Sequence, residues 1–143
     1  MKKVYSSLII KVLVNILKYK LQPGGFIMDF LDELKELGVD VDKALKSLAG
    51  KAALYEKLVK KFPGTAKEYY VSPDFGDSET DDAIEKTHAL KGVAGNLSIT
   101  PLYNGYSDIV QLLREGKPEQ AREALKKLIP VQEDIIKCIE NHI

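Results

Sequence analysis

The chain has 143 residues, of which 45% are hydrophobic, and its 21 basic residues balance its 21 acidic residues. This length suits one domain, and the composition is that of a globular protein rather than a disordered or fibrous one. After residue 27 we find no clustered positive charge typical of a nucleic-acid interface, and we expect no nucleic-acid partner. The single cysteine, Cys138, excludes an intramolecular disulfide, fits a cytoplasmic location, and lies in an amphipathic run that favours a buried thiol.

Residues 1–27 differ from the rest, because they contain five lysines and no acidic residue, leaving a net charge of −5 for the remaining chain. Lys11 interrupts the apolar run, which lacks a signal-peptide cleavage site and is too short to span a membrane. Two interpretations stay open. The segment is either a basic amphipathic helix on the bundle or, less expected, on a membrane, or it precedes a true start at Met28, since the Gly24-Gly25 codons can contain a ribosome-binding sequence.

Residues 28–143 are predicted to form one domain of helices with short connections. The first helix is predicted over 28–37, with Gly38 as its C-cap. Asp40 is predicted to cap a second short helix that ends before Gly50. No segment of any length shows the alternation of a strand.

A longer helix is predicted from about Lys51, with apolar residues at helical spacing as far as Phe62. Pro63 and Gly64 are expected to kink or stop this helix. Thr65 is then expected to cap a short continuation.

The last three helices are each introduced by a loop or by proline. Residues 72–77 have the composition of a loop, and a helix is predicted to follow from Ser78 or Thr80 to about Leu97. Pro101 and Pro118 sit where the next two helices begin, and Pro130 is expected to bend the last one. The sequence therefore predicts an all-α antiparallel bundle.

The helix that ends near Leu97 carries the candidate site. At 100° per residue, one side of it is an apolar stripe. His88 points the other way, with Lys91, Gly92 and Gly95 beside it and Ile84 one turn before it. The stripe that we predict to face the core comprises Ala83, Leu90, Val93, Ala94 and Leu97.

Glycine inside a helix costs about 1 kcal/mol relative to alanine, so Gly92 and Gly95 beside an exposed imidazole are expected to have a use. Their missing side chains would let another protein approach His88 closely, with Ile84 as an apolar contact. A neutral imidazole can take a phosphoryl group as a phosphoramidate, a transfer that depends mainly on positioning and charge neutralisation, and Lys91 would supply one charge.

Residues 88–97 resemble the phosphorylation-site helix of histidine-containing phosphotransfer (HPt) domains, whose motif is His-x-x-Lys-Gly with a small residue seven positions after the histidine. The resemblance covers about residues 38–143. It implies an antiparallel four-helix bundle, here with additional short N-terminal helices. It also implies phosphorylation of His88, on Nε2, with Lys91 steadying the phosphate and Gly92 and Gly95 allowing docking.

The family also implies partners. Phosphoryl donors and acceptors would be aspartates of response-regulator receiver domains or a hybrid sensor kinase, which bring their own Mg²⁺. We therefore expect a monomeric phosphocarrier in two-component signalling that is not itself an enzyme and holds no cofactor or metal.

The chain departs from the family at the residue that orients the histidine ring. Many members place a polar residue on the following helix, where our alignment has Val110. Gln111, beside it, is the candidate replacement. Gly105 on the same helix is interpreted as a close helix–helix contact in preference to a widening of the docking face.

A sensor kinase is disfavoured, because such kinases usually have an acidic residue directly after the histidine, where this chain has Ala89, and because no Gly-rich nucleotide-binding segment is present. Two other functions remain open. A phosphoacceptor module of a kinase whose catalytic domain lies on another chain shares the His88 motif. A module that docks a receiver domain without phosphoryl transfer is the other alternative.

Overall fold

The structure is a computed structural model that describes residues 7–20 and 29–143. These residues are all-helical and contain no strand, which confirms the predicted class. Residues 1–6 and 21–28 lie outside the described residues. The alternative start at Met28, with Gly24 and Gly25 before it, therefore also lies outside them. The helices are α1 (Ser7–Lys20), α2 (Phe30–Glu36), α3 (Val41–Ser47), α4 (Ala52–Val59), α5 (Phe62–Glu68), α6 (Thr80–Asn96), α7 (Thr100–Arg114) and α8 (Pro118–Glu140).

Aspartate side chains cap the N-termini of α2 and α3. Oδ1 of Asp29 accepts a hydrogen bond from the backbone N–H of Asp32 at 2.9 Å. Oδ1 of Asp40 accepts one from Lys43 at 3.1 Å, which confirms the predicted cap. Gly38 ends α2 with a φ of +92°, a left-handed conformation that favours glycine.

The break in the third predicted helix lies before Pro63, not after it. The α4 helix ends at Val59, and α5 begins at Phe62 with Pro63 in its first turn. Thr65 therefore lies inside α5, and the expectation that it caps a continuation was wrong. The reason is that the proline ring suits the first helical turn, where its missing N–H has no partner to lose. By contrast, α8 continues through Pro130 as a single helix.

The most extensive packing between helices joins α6 to α7 and α7 to α8. Between α7 and α8, the hydroxyl of Tyr106 donates a hydrogen bond to the Gln132 side chain, and both residues are buried. A Cβ at Gly105 would lie 2.4 Å from Cδ1 of Leu128, so α7 and α8 are in close contact there. This confirms the close-contact interpretation of Gly105.

Residues of α4 and of the N-cap of α3 donate hydrogen bonds to the turn between α6 and α7. The hydroxyl of Tyr55 on α4 donates to the carbonyl oxygen of Leu97 at 2.7 Å. The N–H of Asp40 donates to the carbonyl of Ser98 at 2.9 Å, and Ser98 has a φ of +56°. Burial, and secondarily the charge of Asp40, raise the pKa of Tyr55 to about 12, so the phenol keeps its donor proton.

The connection before α6 is held by one arginine of α8. Arg122 donates from Nη1 to the carbonyl oxygen of Phe75 at 3.2 Å and to Oδ1 of Asp77 at 3.1 Å. Its guanidinium carbon lies 5.2 Å from the centre of the Phe75 ring. These contacts fix the start of α6, which begins after a 3₁₀ turn at Asp77–Glu79.

The α1 helix packs against α2, and Val12 is buried there at 9% exposure. Both interpretations of residues 1–27 stay predictions, since the structure describes only residues 7–20 of that segment. Within residues 7–20 and 29–143, no helix is long and apolar enough to cross a membrane.

Candidate functional site

The α6 helix has the orientation that its periodicity predicts. Ala83, Leu90, Ala94 and Leu97 are buried, and Val93 is half-buried against the core. His88 lies on the opposite, exposed side.

The imidazole of His88 forms no hydrogen bond or ion pair with any group within residues 7–20 and 29–143. The ring is exposed and sits near the middle of the 17-residue helix α6, whose inner side is packed in the core. A reactive nitrogen on this ring is therefore open to a partner protein.

Lys91 lies one turn after His88 and is half-buried. Its Nζ is 5.9 Å from the centre of the Tyr103 ring, which belongs to α7. An ammonium group over an aromatic face is attracted by the electrons of the ring. The Tyr103 contact therefore restrains Lys91 on the same side of α6 as His88, and sequence reasoning had missed this residue.

The two glycines near His88 have different surroundings. A Cβ at Gly92 would have no neighbour within 4 Å, so the surface there is open. A Cβ at Gly95 would lie 3.0 Å from Cδ2 of Tyr103, so that space is already filled by the same chain. The surface at Gly92 is therefore open, while Gly95 makes room for Tyr103, and the docking role of both glycines stays a prediction.

Ile84 is half-buried and packs against the hydrophobic core. Only part of its side chain is therefore available to a partner, which is less than its position one turn before His88 suggested. Its role as a docking contact stays a prediction.

The proposed ring-orienting residue has another partner in this structure. Val110 is buried at 2% exposure. Gln111 is exposed, and its Nε2 donates to Oε1 of Glu115 at 3.0 Å. This hydrogen bond, and then Lys117, lower the pKa of Glu115. The use of Gln111 to orient His88 stays a prediction.

The second histidine has a structural explanation. His142 hydrogen-bonds the Glu33 carboxylate, and its ring centre lies 4.7 Å from that of Phe30. Cys138 is buried beside Glu33, with Sγ 3.8 Å from Oε2, and burial raises the pKa of this thiol to about 12. Cys138 is thus a buried neutral thiol, as predicted. Of the two histidines in the chain, His88 is the one that is exposed and unpartnered.

Comparisons with protein-family models, curated proteins and solved structures found no match to this chain. The described residues also contain no group of three or more His, Cys, Asp or Glu side chains placed to hold a metal ion.

Proposed function

We propose that the protein is a phosphorelay intermediary, which accepts a phosphoryl group on His88 from a receiver-domain aspartate and passes it to another receiver. The observation that carries this proposal is an exposed, unpartnered imidazole with Lys91 one turn away and open surface at Gly92. The open surface at Gly92 would let a partner approach the ring, and Lys91 would offset part of the charge of the bound phosphoryl group.

The reaction that this geometry suits is a reversible exchange between two protein side chains. The lone pair of Nε2 of His88 forms a bond to phosphorus as the bond between phosphorus and the aspartyl oxygen breaks. The aspartate leaves as a carboxylate, and the imidazole proton on Nδ1 is available to solvent because the ring is exposed. The ammonium of Lys91 would offset part of the phosphoryl charge. The divalent cation of such a transfer would be held by the receiver domain.

We also propose that the helices form the four-helix arrangement of HPt domains. In this arrangement α6, α7 and α8 would be three members of the bundle, and the α4–α5 pair would be the fourth. The contacts of α5 with both α6 and α8 support the assignment. The helices α1 to α3 would then be additions at the N-terminal side.

The test begins with the full chain, phosphorylated chemically with phosphoramidate and separated from the reagent. We expect an acid-labile label on the wild type, followed by its transfer to added receiver domains in the presence of Mg²⁺. His88→Gln should carry no transferable label. His142→Gln is the matched control, because it removes the other histidine and should leave transfer unchanged. Transfer that persists in His88→Gln would overturn the proposal.

The variant Lys91→Gln tests the charge beside the ring. Because a hydrogen bond to a charged group contributes about 1.5–3 kcal/mol, we expect transfer to slow roughly tenfold or more. The fold should be unchanged, since the contact that the ammonium of Lys91 makes is with the exposed ring of Tyr103 and not with the core.

The alternatives predict different results. A docking module would bind receiver domains but never exchange label with them. A kinase phosphoacceptor would be labelled by a separate catalytic domain with ATP and would not accept label from a phosphorylated receiver domain. Either result would contradict phosphorelay by His88.

A further inference from the structure

The α1 helix has apolar side chains on two sides. On the inner side, Val12 is buried and Leu8 packs against the core. On the outer side, Ile10, Leu13 and Val14 are 50%, 52% and 55% exposed. Val12 and Leu8 supply the buried contact of α1 with the bundle, whereas about half of the surface of each of the outer three residues is open. We call these three residues the outer face of α1.

The segment that contains the outer face is basic. Lys11 is exposed within the same helix, and residues 1–27 hold five lysines and no acidic residue. The remaining chain has a net charge of −5. An anionic surface would therefore attract this segment and repel the bundle.

We propose that the outer face of α1 binds the surface of an anionic lipid bilayer. A helix with exposed apolar side chains and lysines lies in the interface plane, with its apolar side in the acyl boundary and its charges among the headgroups. The 14 residues of α1 span about 21 Å, shorter than the ~30 Å apolar layer, which also favours a helix that lies along the surface.

A second copy of this chain is the other candidate occupant, and charge disfavours it. Pairing two outer faces would bring together two copies of Lys11 and two segments that each contain five lysines and no acidic residue. Anionic headgroups would instead neutralise these charges, each basic residue near such a surface adding about 1 kcal/mol of attraction. The lipid surface therefore suits both the apolar and the charged residues of α1.

The experiment is co-sedimentation of the full chain with vesicles. We expect binding to vesicles of phosphatidylcholine and phosphatidylglycerol in equal parts, and little binding to phosphatidylcholine alone. Binding should weaken strongly between ~0.1 M and ~1 M salt, because the screening length falls from about 10 Å to about 3 Å. Equal binding to both vesicle types, or no binding to either, would overturn the proposal.

Two variants separate the apolar and charged contributions. The triple variant Ile10→Ser, Leu13→Ser and Val14→Ser should bind at least roughly tenfold more weakly, because its exposed apolar contacts are lost. Lys11→Gln should bind about fivefold more weakly, which corresponds to the ~1 kcal/mol of one basic residue. Wild-type binding by the triple serine variant would contradict the proposed surface.

The matched control removes three exposed apolar side chains elsewhere. The variant Leu54→Ser, Tyr70→Ser and Ile143→Ser changes residues that are 39%, 48% and 77% exposed and lie outside α1. It should bind vesicles like the wild type. Sedimentation equilibrium without lipid tests the second copy. A wild-type dimer that the triple serine variant of α1 dissociates, together with absent vesicle binding, would overturn the lipid proposal.

Discussion

Alanine at Gly92 should stabilise the fold, whereas alanine at Gly105 should not. Both glycines lie inside long helices, Gly92 in α6 and Gly105 in α7. Replacing glycine by alanine in a helix interior gains about 1 kcal/mol from backbone entropy if the new methyl group finds space. The difference between the two sites therefore comes from what surrounds each Cβ.

The surroundings give the expected magnitudes. At Gly92 a Cβ has no neighbour within 4 Å, so Gly92→Ala should stabilise the fold by about 1 kcal/mol. At Gly105 a Cβ would lie 2.4, 2.7 and 3.0 Å from three side-chain carbons of Leu128, which is itself buried. Such overpacking costs about 1–3 kcal/mol, so Gly105→Ala should be neutral or destabilising by up to about 2 kcal/mol.

Urea unfolding followed by helical circular dichroism measures both variants. The control is the background Leu128→Ala, which itself costs about 2–5 kcal/mol but removes the clash. In that background Gly105→Ala should stabilise by about 1 kcal/mol, which gives a coupling energy between the two positions. The reasoning would be refuted if Gly105→Ala stabilised the protein with Leu128 intact as much as Gly92→Ala does.

Two further predictions concern the packing outside α6. Arg122→Met should cost about 1 kcal/mol and speed hydrogen exchange in residues 72–77, because the Phe75 carbonyl loses its donor; unchanged exchange would contradict this role. Alkaline pH should destabilise the fold, because burial raises the pKa of Cys138 from 9.0, and that of Tyr55 from 10.0, to about 12. This contribution is complete below about pH 8 and is lost as pH rises towards 12; urea midpoints across this range should fall less in Cys138→Ala.

The helices could be predicted because their signals are local. Asp40 and Gly38 sit at helix ends where their side chain or backbone conformation is favoured, and the structure uses both in that way. Pro63 also marks a helix boundary. We expected it to kink or stop the preceding helix, whereas in the structure it lies in the first turn of α5. Proline is disfavoured in a helix interior and favoured in the first turn, so Pro63 alone does not decide on which side of it the helix lies.

Contacts between helices could not be predicted from one sequence. The bond from Tyr55 to the Leu97 carbonyl joins residues 42 positions apart and depends on how α4 lies against the end of α6. The filling of the Gly95 space by Tyr103 depends likewise on the register of α6 and α7. Helical periodicity gives the direction of a side chain but not the residue that meets it.

This limit matters most for His88 and His142. Periodicity placed His88 on the side of α6 away from the core, and the structure agrees. It could not show that His142, near the chain end, meets Glu33 and Phe30 across more than one hundred residues of sequence. A paired and stacked imidazole is held by its neighbours, whereas an exposed one is free to meet another molecule. The contrast between the two rings, which only the packing reveals, is what makes His88→Gln and His142→Gln a matched pair for testing phosphoryl transfer.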